Sequence, residues 1–292
     1  MSIEPQAIRV QMPHMTMRGL QWGAPDAARV IISLHGWLDN AMSFSRLAPL
    51  LVDEETRVIA FDLAGHGLSD HRPLRSGYHF TDYLRDLYLA LEQLDIQTFE
   101  FVCHSLGAAI ATIYAGSFPE QVQRFVAIEC YGVPLVSDNN PLPERMAERL
   151  PKLDVMRSRS ETVYPQLKPL IRARRQAGEM LESSAELLLR RNLDESKDGF
   201  RFISDRRLTM GQPMLMSEAQ LAPFLKRISA EVLVIEAEDG LMPHWQFLPG
   251  RYAITPNITV KRLPGGHHLH LDDPSRVAEV IHSEALSFDR AQ

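Results

Sequence analysis

Short, almost wholly apolar runs recur along this chain between segments of helical spacing. Arg29–Leu34, Arg57–Leu63, Phe99–Cys103 and Arg124–Cys130 are such runs, and a strand that is apolar on both faces must be covered on both faces. The intervening segments supply the cover. In Phe80–Leu94 the apolar residues Phe80, Tyr83, Leu84, Leu87, Tyr88, Leu91 and Leu94 share one face of a helix. Strands alternating with such helices predict an α/β fold, with a mostly parallel sheet between two helical layers. Ile8–Met12 and Thr16–Trp22 alternate in period two and read as an opening hairpin.

The alternation stops after Cys130. From Gly132 to Ala230 strand signals fade, Leu, Arg, Glu and Met recur at helical spacing, and the net charge is +4 against −10 for the rest of the chain. Strands resume with Glu231–Ala237 and Ile258–Leu263. A last helix follows, opened by Asp273 as N-cap and Pro274 at its first position. The expected organisation is a core split into 1–131 and 231–292, enclosing a helical cap at 132–230.

Composition removes several function classes. A net charge of −6 and a pI near 6.0 disfavour attraction of the whole molecule to nucleic acid. The arginines of Ile171–Arg175 and Leu189–Arg191 therefore read as solvated helix faces. Two cysteines, Cys103 and Cys130, make no disulfide scaffold and suit a reducing compartment. No apolar run nears the roughly 18 residues of a membrane span, and Met1–Trp22 shows no secretory pattern. The expectation is a cytoplasmic protein without integral membrane association. Its oligomeric state has no sequence signature.

The chemistry centres on Phe99–Ile110, where a buried strand runs straight into a helix of small residues with Ser105 at the turn. This is the setting of a nucleophile elbow. Gly107 supplies the small residue two positions after the serine, and Cys103 stands two positions before it, where glycine is usual. Ser105 also reads as a simple helix cap. A serine hydroxyl needs a general base, itself held by an acid. Pro264–Pro274 carries His267, His268, His270, Asp272 and Asp273 in the loop before the last helix. His267, directly after Gly266, is the better base, with His270 packing or hydrogen-bonding beneath it. A metal reading of His268, His270 and Asp272 lacks a second ligand cluster, so no metal and no cofactor is expected. For the acid, Asp239 beyond the strand Glu231–Ala237 is the first choice, with Glu129 and Glu238 as alternatives.

Other features fit around this. The loop Leu34–Asn40 follows a buried strand and can offer a backbone N–H to join that of Leu106 in an oxyanion hole. Asp62–Asp70 contains a Gly-x-Gly that lacks the third glycine of a dinucleotide fingerprint and reads as structural. Gln11–Met17 could bind copper, but hairpin packing explains its methionines more simply. Met210, Met214, Leu215 and Met216 could line an adaptable apolar pocket or merely pack.

Taken together, His35-Gly36-Trp37, Asp62–Ser69, the Ser105 elbow, Asp239 before Pro243, and Gly266-His267 with Asp272 and Pro274 resemble the α/β-hydrolase family over essentially the whole length. Within it, His35–Asn40 and Asp205–Leu208 look most like the serine hydrolase-like proteins. The resemblance implies an eight-stranded sheet with the cap inserted after the sixth strand. It also implies Ser105 as nucleophile, His267 as base, and the Trp37 and Leu106 amides as the oxyanion hole. Serine rather than aspartate at the elbow points to acyl transfer. The expected function is hydrolysis of a carboxylic ester with a small apolar acyl group. Thioesters, lactones and carbon–carbon bonds are alternative substrates, and a weakly catalytic or non-catalytic ligand-binding protein is the alternative class.

Overall fold

The computed structural model describes residues 4–74, 76–133, 142–151, 162–210 and 216–288. Eight strands form one sheet: β1 (Gln6–Gln11), β2 (Thr16–Trp22), β3 (Arg29–Leu34), β4 (Thr56–Phe61), β5 (Phe99–His104), β6 (Val122–Ile128), β9 (Glu231–Asp239) and β10 (Ile258–Gly266). Their order is β1-β2-β4-β3-β5-β6-β9-β10. The opening hairpin joins antiparallel at one edge, and every pair from β4 to β10 is parallel. Parallel strands all end on the same side, so the loops after β3, β5, β6, β9 and β10 gather along one rim.

Helices cover both faces, as the doubly apolar strands require. On one side α2 (Phe80–Gln93) and α3 (Leu106–Ser117) pack through Leu87, Leu91, Ile110 and Tyr114 against Phe99, Phe101 and Phe125. The other side holds the single-turn α1 (Ala48–Leu51) and the terminal α10 (Pro274–Phe288), which bury Leu51, Val277 and Ile281 against Val102, Val126 and Ile235. Asp273 accepts from the Arg276 amide at 3.3 Å, the N-cap expected for α10.

The insertion follows β6. It contains α4 (Leu142–Arg149), α5 (Leu167–Gly178), α6 (Glu182–Asn192), a small hairpin of β7 (Leu193–Ser196) and β8 (Gly199–Phe202), and α7 (Glu218–Arg227). The hairpin had no clear strand signal in the sequence. α7 packs on α3 and adds Leu221 and Leu225 to the main core, whereas α5 and α6 form a separate small core of Leu170, Ile171, Ala185, Leu188 and Leu189. Two short helices follow β9 and β10, α8 (Leu248–Ile254) and α9 (Leu269–Asp272). Among the described residues no helix is long and apolar enough to cross a membrane. Met12, Met15 and Met17 are buried in the core and His14 pairs with Asp86 at 2.7 Å, so the methionine tract packs as expected. Both cysteines are buried and free.

Candidate active site

Ser105 sits between the end of β5 and the start of α3 with φ 49° and ψ −116°, a strained conformation for a residue with a side chain. The strain is held in place by close packing around the turn. A Cβ on Gly107 would lie 2.0 Å from the Leu34 carbonyl oxygen, so only glycine lets α3 approach β3. The Gly107 amide donates to the His35 carbonyl at 3.0 Å, and the Ser105 amide to that of Ile128 at 3.0 Å. Cys103, in place of the more usual glycine, is completely buried and packs without conflict in the core.

His267 follows the last residue of β10. Its Nε2 lies 3.1 Å from Ser105 Oγ, and its Nδ1 lies 3.1 Å from Glu129 Oε2. A carboxylate can only accept, so Nδ1 carries the proton and Nε2 is left to accept from the serine hydroxyl. Three side chains distant in sequence thus form one continuous chain of hydrogen bonds.

The acid in contact with the histidine is Glu129, not Asp239. The reason lies in how β9 ends. That strand runs two residues further than the apolar run suggested, pairing Asp239 with Gly266 and leaving Glu238 and Asp239 exposed. Glu129, one residue past β6 with φ 54°, is fully buried. Its Oε1 accepts from the Ala237 amide at 2.7 Å and its Oε2 from the Leu241 amide at 2.7 Å. The turn after β9 therefore supplies amides to the acid rather than the acid itself. Gly240 makes room for it, because a Cβ there would lie 2.2 Å from Glu129 Oε2.

Trp37 and Leu106 belong to adjoining segments, the loop after β3 and the first position of α3, which the Gly107–His35 bond ties together. The Trp37 indole donates to the Leu208 carbonyl at 3.0 Å, anchoring that loop to the insertion. A cavity of about 500 Å³ is lined by Trp37, Leu38, Ser105, Arg174, Leu241 and His267. A second, of about 870 Å³, shares Leu38 and Arg174 with it and extends beneath α5, α6 and β8 to Leu170, Leu189 and Phe202. Met214 and Leu215 lie outside the described residues.

Sequence reasoning missed the polar contacts that tie the insertion to the loops of the sheet. Arg174 of α5 pairs with the buried Asp39, and Arg191 of α6 pairs with the buried Asp62, its Nη2 lying 2.7 Å from Oδ2. Neither arginine is the solvated helix charge that its run suggested. Their neighbours Arg172, Arg175 and Arg190 are exposed, and only helical phase separates the two kinds. Asp205 and Arg207 form a third such contact, reaching Tyr78 Oη at 2.7 Å and the Pro73 and Ser76 carbonyls at 2.7 Å.

Beneath His267 lies a group of histidines. His270 Nε2 meets Ser43 Oγ at 2.8 Å, as expected of a residue under the base, and burial pushes its pKa down to about 3. Asp272 bonds Ser184 at 2.5 Å, so the grouping of His268, His270 and Asp272 is not the one the fold assembles.

The comparisons with known proteins agree with this architecture. A family model described as the alpha/beta hydrolase fold matches residues 29–274. The chain is similar to a serine hydrolase-like protein of Danio rerio, 31% identical over 94% of this chain and 86% of that one. It is also similar to serine hydrolase-like protein 2 of Homo sapiens, 27% identical over 94% of this chain and 92% of that one. Among solved structures, the hypothetical protein PA1622 from Pseudomonas aeruginosa PAO1 is 32% identical with a TM-score of 0.88, covering 97% of this chain and 99% of that one.

Proposed function

The chain belongs to the α/β-hydrolase family, among the serine hydrolase-like proteins, and on that premise we propose that it hydrolyses carboxylic esters through an acyl-enzyme on Ser105. The observation that carries this reading is the unbroken Ser105–His267–Glu129 chain, with 3.1 Å at each link.

In the proposed reaction Ser105 Oγ attacks the ester carbonyl as its proton passes to His267 Nε2. Glu129, oriented by two amides, holds the imidazole tautomer and stabilises the imidazolium. The oxyanion is met by the Trp37 and Leu106 amides, each contributing about 3 to 4 kcal/mol to the barrier reduction. His267 then protonates the departing alcohol, and water attacks the acyl-enzyme by the same route in reverse. The apolar residues Leu38, Leu170 and Leu189 suit an acyl chain that passes from the catalytic cavity into the larger one.

Burst release from a short p-nitrophenyl ester tests this, with Ser105→Ala as control and the matching thioester as comparison. A burst equivalent to the enzyme concentration, absent in the variant, is expected. Release by the wild type no faster than by the variant would leave a ligand-binding protein on the same fold.

A further inference from the structure

Beside the Ser105–His267–Glu129 chain, acceptor atoms of His104 at the end of β5, Asp39 after β3 and His268 after β10 converge without a proton to share between two of them. His104 precedes the nucleophile and is fully buried. Its Nε2 lies 2.8 Å from the His267 carbonyl oxygen, which can only accept, so the ring proton is on Nε2. That leaves Nδ1 as a bare lone pair with no hydrogen-bond partner among the described residues, 3.7 Å from Asp39 Oδ2. His268 reaches the same oxygen: its Nδ1 lies 3.2 Å from the Gly178 carbonyl and its Nε2 lies 3.2 Å from Asp39 Oδ2. A buried lone pair facing a buried carboxylate is costly unless a positive charge lies between them.

We propose that Asp39, His104 and His268 form a binding site for a divalent transition-metal ion of the zinc class, opening onto the catalytic cavity. The three ligand atoms lie within 4.8 Å of one another, and donors around a tetrahedral zinc at about 2.0–2.2 Å stand roughly 3.3 to 3.5 Å apart. Small movements of two rings close that difference. Two imidazoles and one carboxylate are the donor types that borderline cations take. The position between them is kept clear because residue 36 is glycine: a Cβ there would lie 2.8 Å from His104 Nδ1 and 3.0 Å from Asp39 Oδ2. All three ligands line the cavity that also holds Ser105 and His267, so the fourth coordination position faces the substrate space.

Burial, reinforced by the neighbouring histidines, holds the His104 pKa well below its ordinary value, which keeps the ring neutral. Burial pushes the Asp39 carboxyl up, but His268 and Arg174 overcome it and hold it well below the usual range. Arg174 is the cation already present. Its guanidinium pairs with Asp39 Oδ1 and its Nη2 stands 3.5 Å from His268 Nε2. It therefore opposes a second cation at the site, and its removal should strengthen metal binding.

The test is competition for Zn²⁺ between a chromophoric chelator and the Ser105→Ala protein, which reads binding independently of hydrolysis. The site predicts one ion per chain, with affinity at least roughly tenfold weaker in His268→Gln and in Asp39→Asn. It also predicts tighter binding in Arg174→Met and an affinity within about twofold of the parent in His267→Ala. Circular dichroism of each variant checks that it folds, and His268→Gln keeps the test informative if Asp39→Asn does not. Absence of binding at about 100 µM Zn²⁺ would overturn the proposal. So would loss of binding in His267→Ala with retention in His268→Gln, which would put the ion on the triad instead.

Discussion

The sheet and the insertion after β6 are held by different contacts, and the cavity lined by Ser105 and His267 lies where they meet. Around the sheet, apolar side chains pack in two layers, and Ser105, Glu129 and His267 sit just past strand ends, with the Glu129 carboxylate held by two backbone amides. The separate cap core around α5 and α6 is small. Buried arginine–carboxylate pairs, Arg174–Asp39 and Arg191–Asp62, reach from these helices to the loops beside the nucleophile. Apolar packing tolerates small adjustments, but a buried ion pair broken on one side leaves a charge without a partner. The Ser105–His267–Glu129 chain thus belongs to the sheet rim, while the helices beside it are tied down by a few charged contacts.

The largest effect on stability should come from separating the two regions. Arg191→Met leaves Asp62 buried without its bidentate partner and should cost about 3 kcal/mol of stability. The double variant with Asp62→Asn should recover part of that loss in thermal unfolding. Single and double variants of equal stability would mean that the pair does not seat the cap. Disturbing the rim is the second experiment. Gly240→Val drives a side chain into the Glu129 carboxylate and should lower kcat/KM roughly a hundredfold, the scale of a misplaced catalytic group. Unaltered steady-state kinetics would show that the turn after β9 does not position the acid.

A pH series adds a smaller effect specific to the sheet side. Burial, followed by the neighbouring His35, lowers the pKa of His66 to about 3. The folded protein keeps this ring neutral while the unfolded chain protonates it below about pH 6.5. Its contribution is therefore present above that pH and is lost as the pH falls toward 3, on the order of 2 kcal/mol by about pH 5. Denaturant midpoints of His66→Gln should decline less over that interval than those of the parent. The smallest effect is expected at the cap surface. Arg190 is exposed and, among the described residues, pairs only with Glu186 one turn away, so Arg190→Ala should change stability by about 0.5 kcal/mol or less. A loss as large as that of Arg191→Met would erase the distinction between the inward and outward arginines.

Where the sequence pattern is set by burial on two faces, it reads directly. The run Arg29–Leu34 matches β3 end to end, and Phe80–Leu94 overshoots α2 by one residue. Ser105 and His267 were legible because a strand running into small residues, and a histidine after paired glycines, leave local marks. Glu129 was harder to rank. It looks like the polar end of an apolar run, and its role depends on amides more than a hundred residues away. Asp239 had the better local setting, a carboxylate just beyond a strand, yet strand pairing carries it to the surface. Arg174 and Arg191 were misread for a related reason. Within an arginine cluster, composition shows the charge but not which residue faces the carboxylate of another segment.

The proposed reaction stands on Glu129, after β6, working with His267, after β10. The most direct measurement compares the rate of Ser105 labelling by a fluorophosphonate probe in Glu129→Gln and Asp239→Asn. A fall of about a thousandfold is expected in the first and a rate within about twofold of the parent in the second. Labelling that survives in Glu129→Gln and collapses in Asp239→Asn would contradict this pairing.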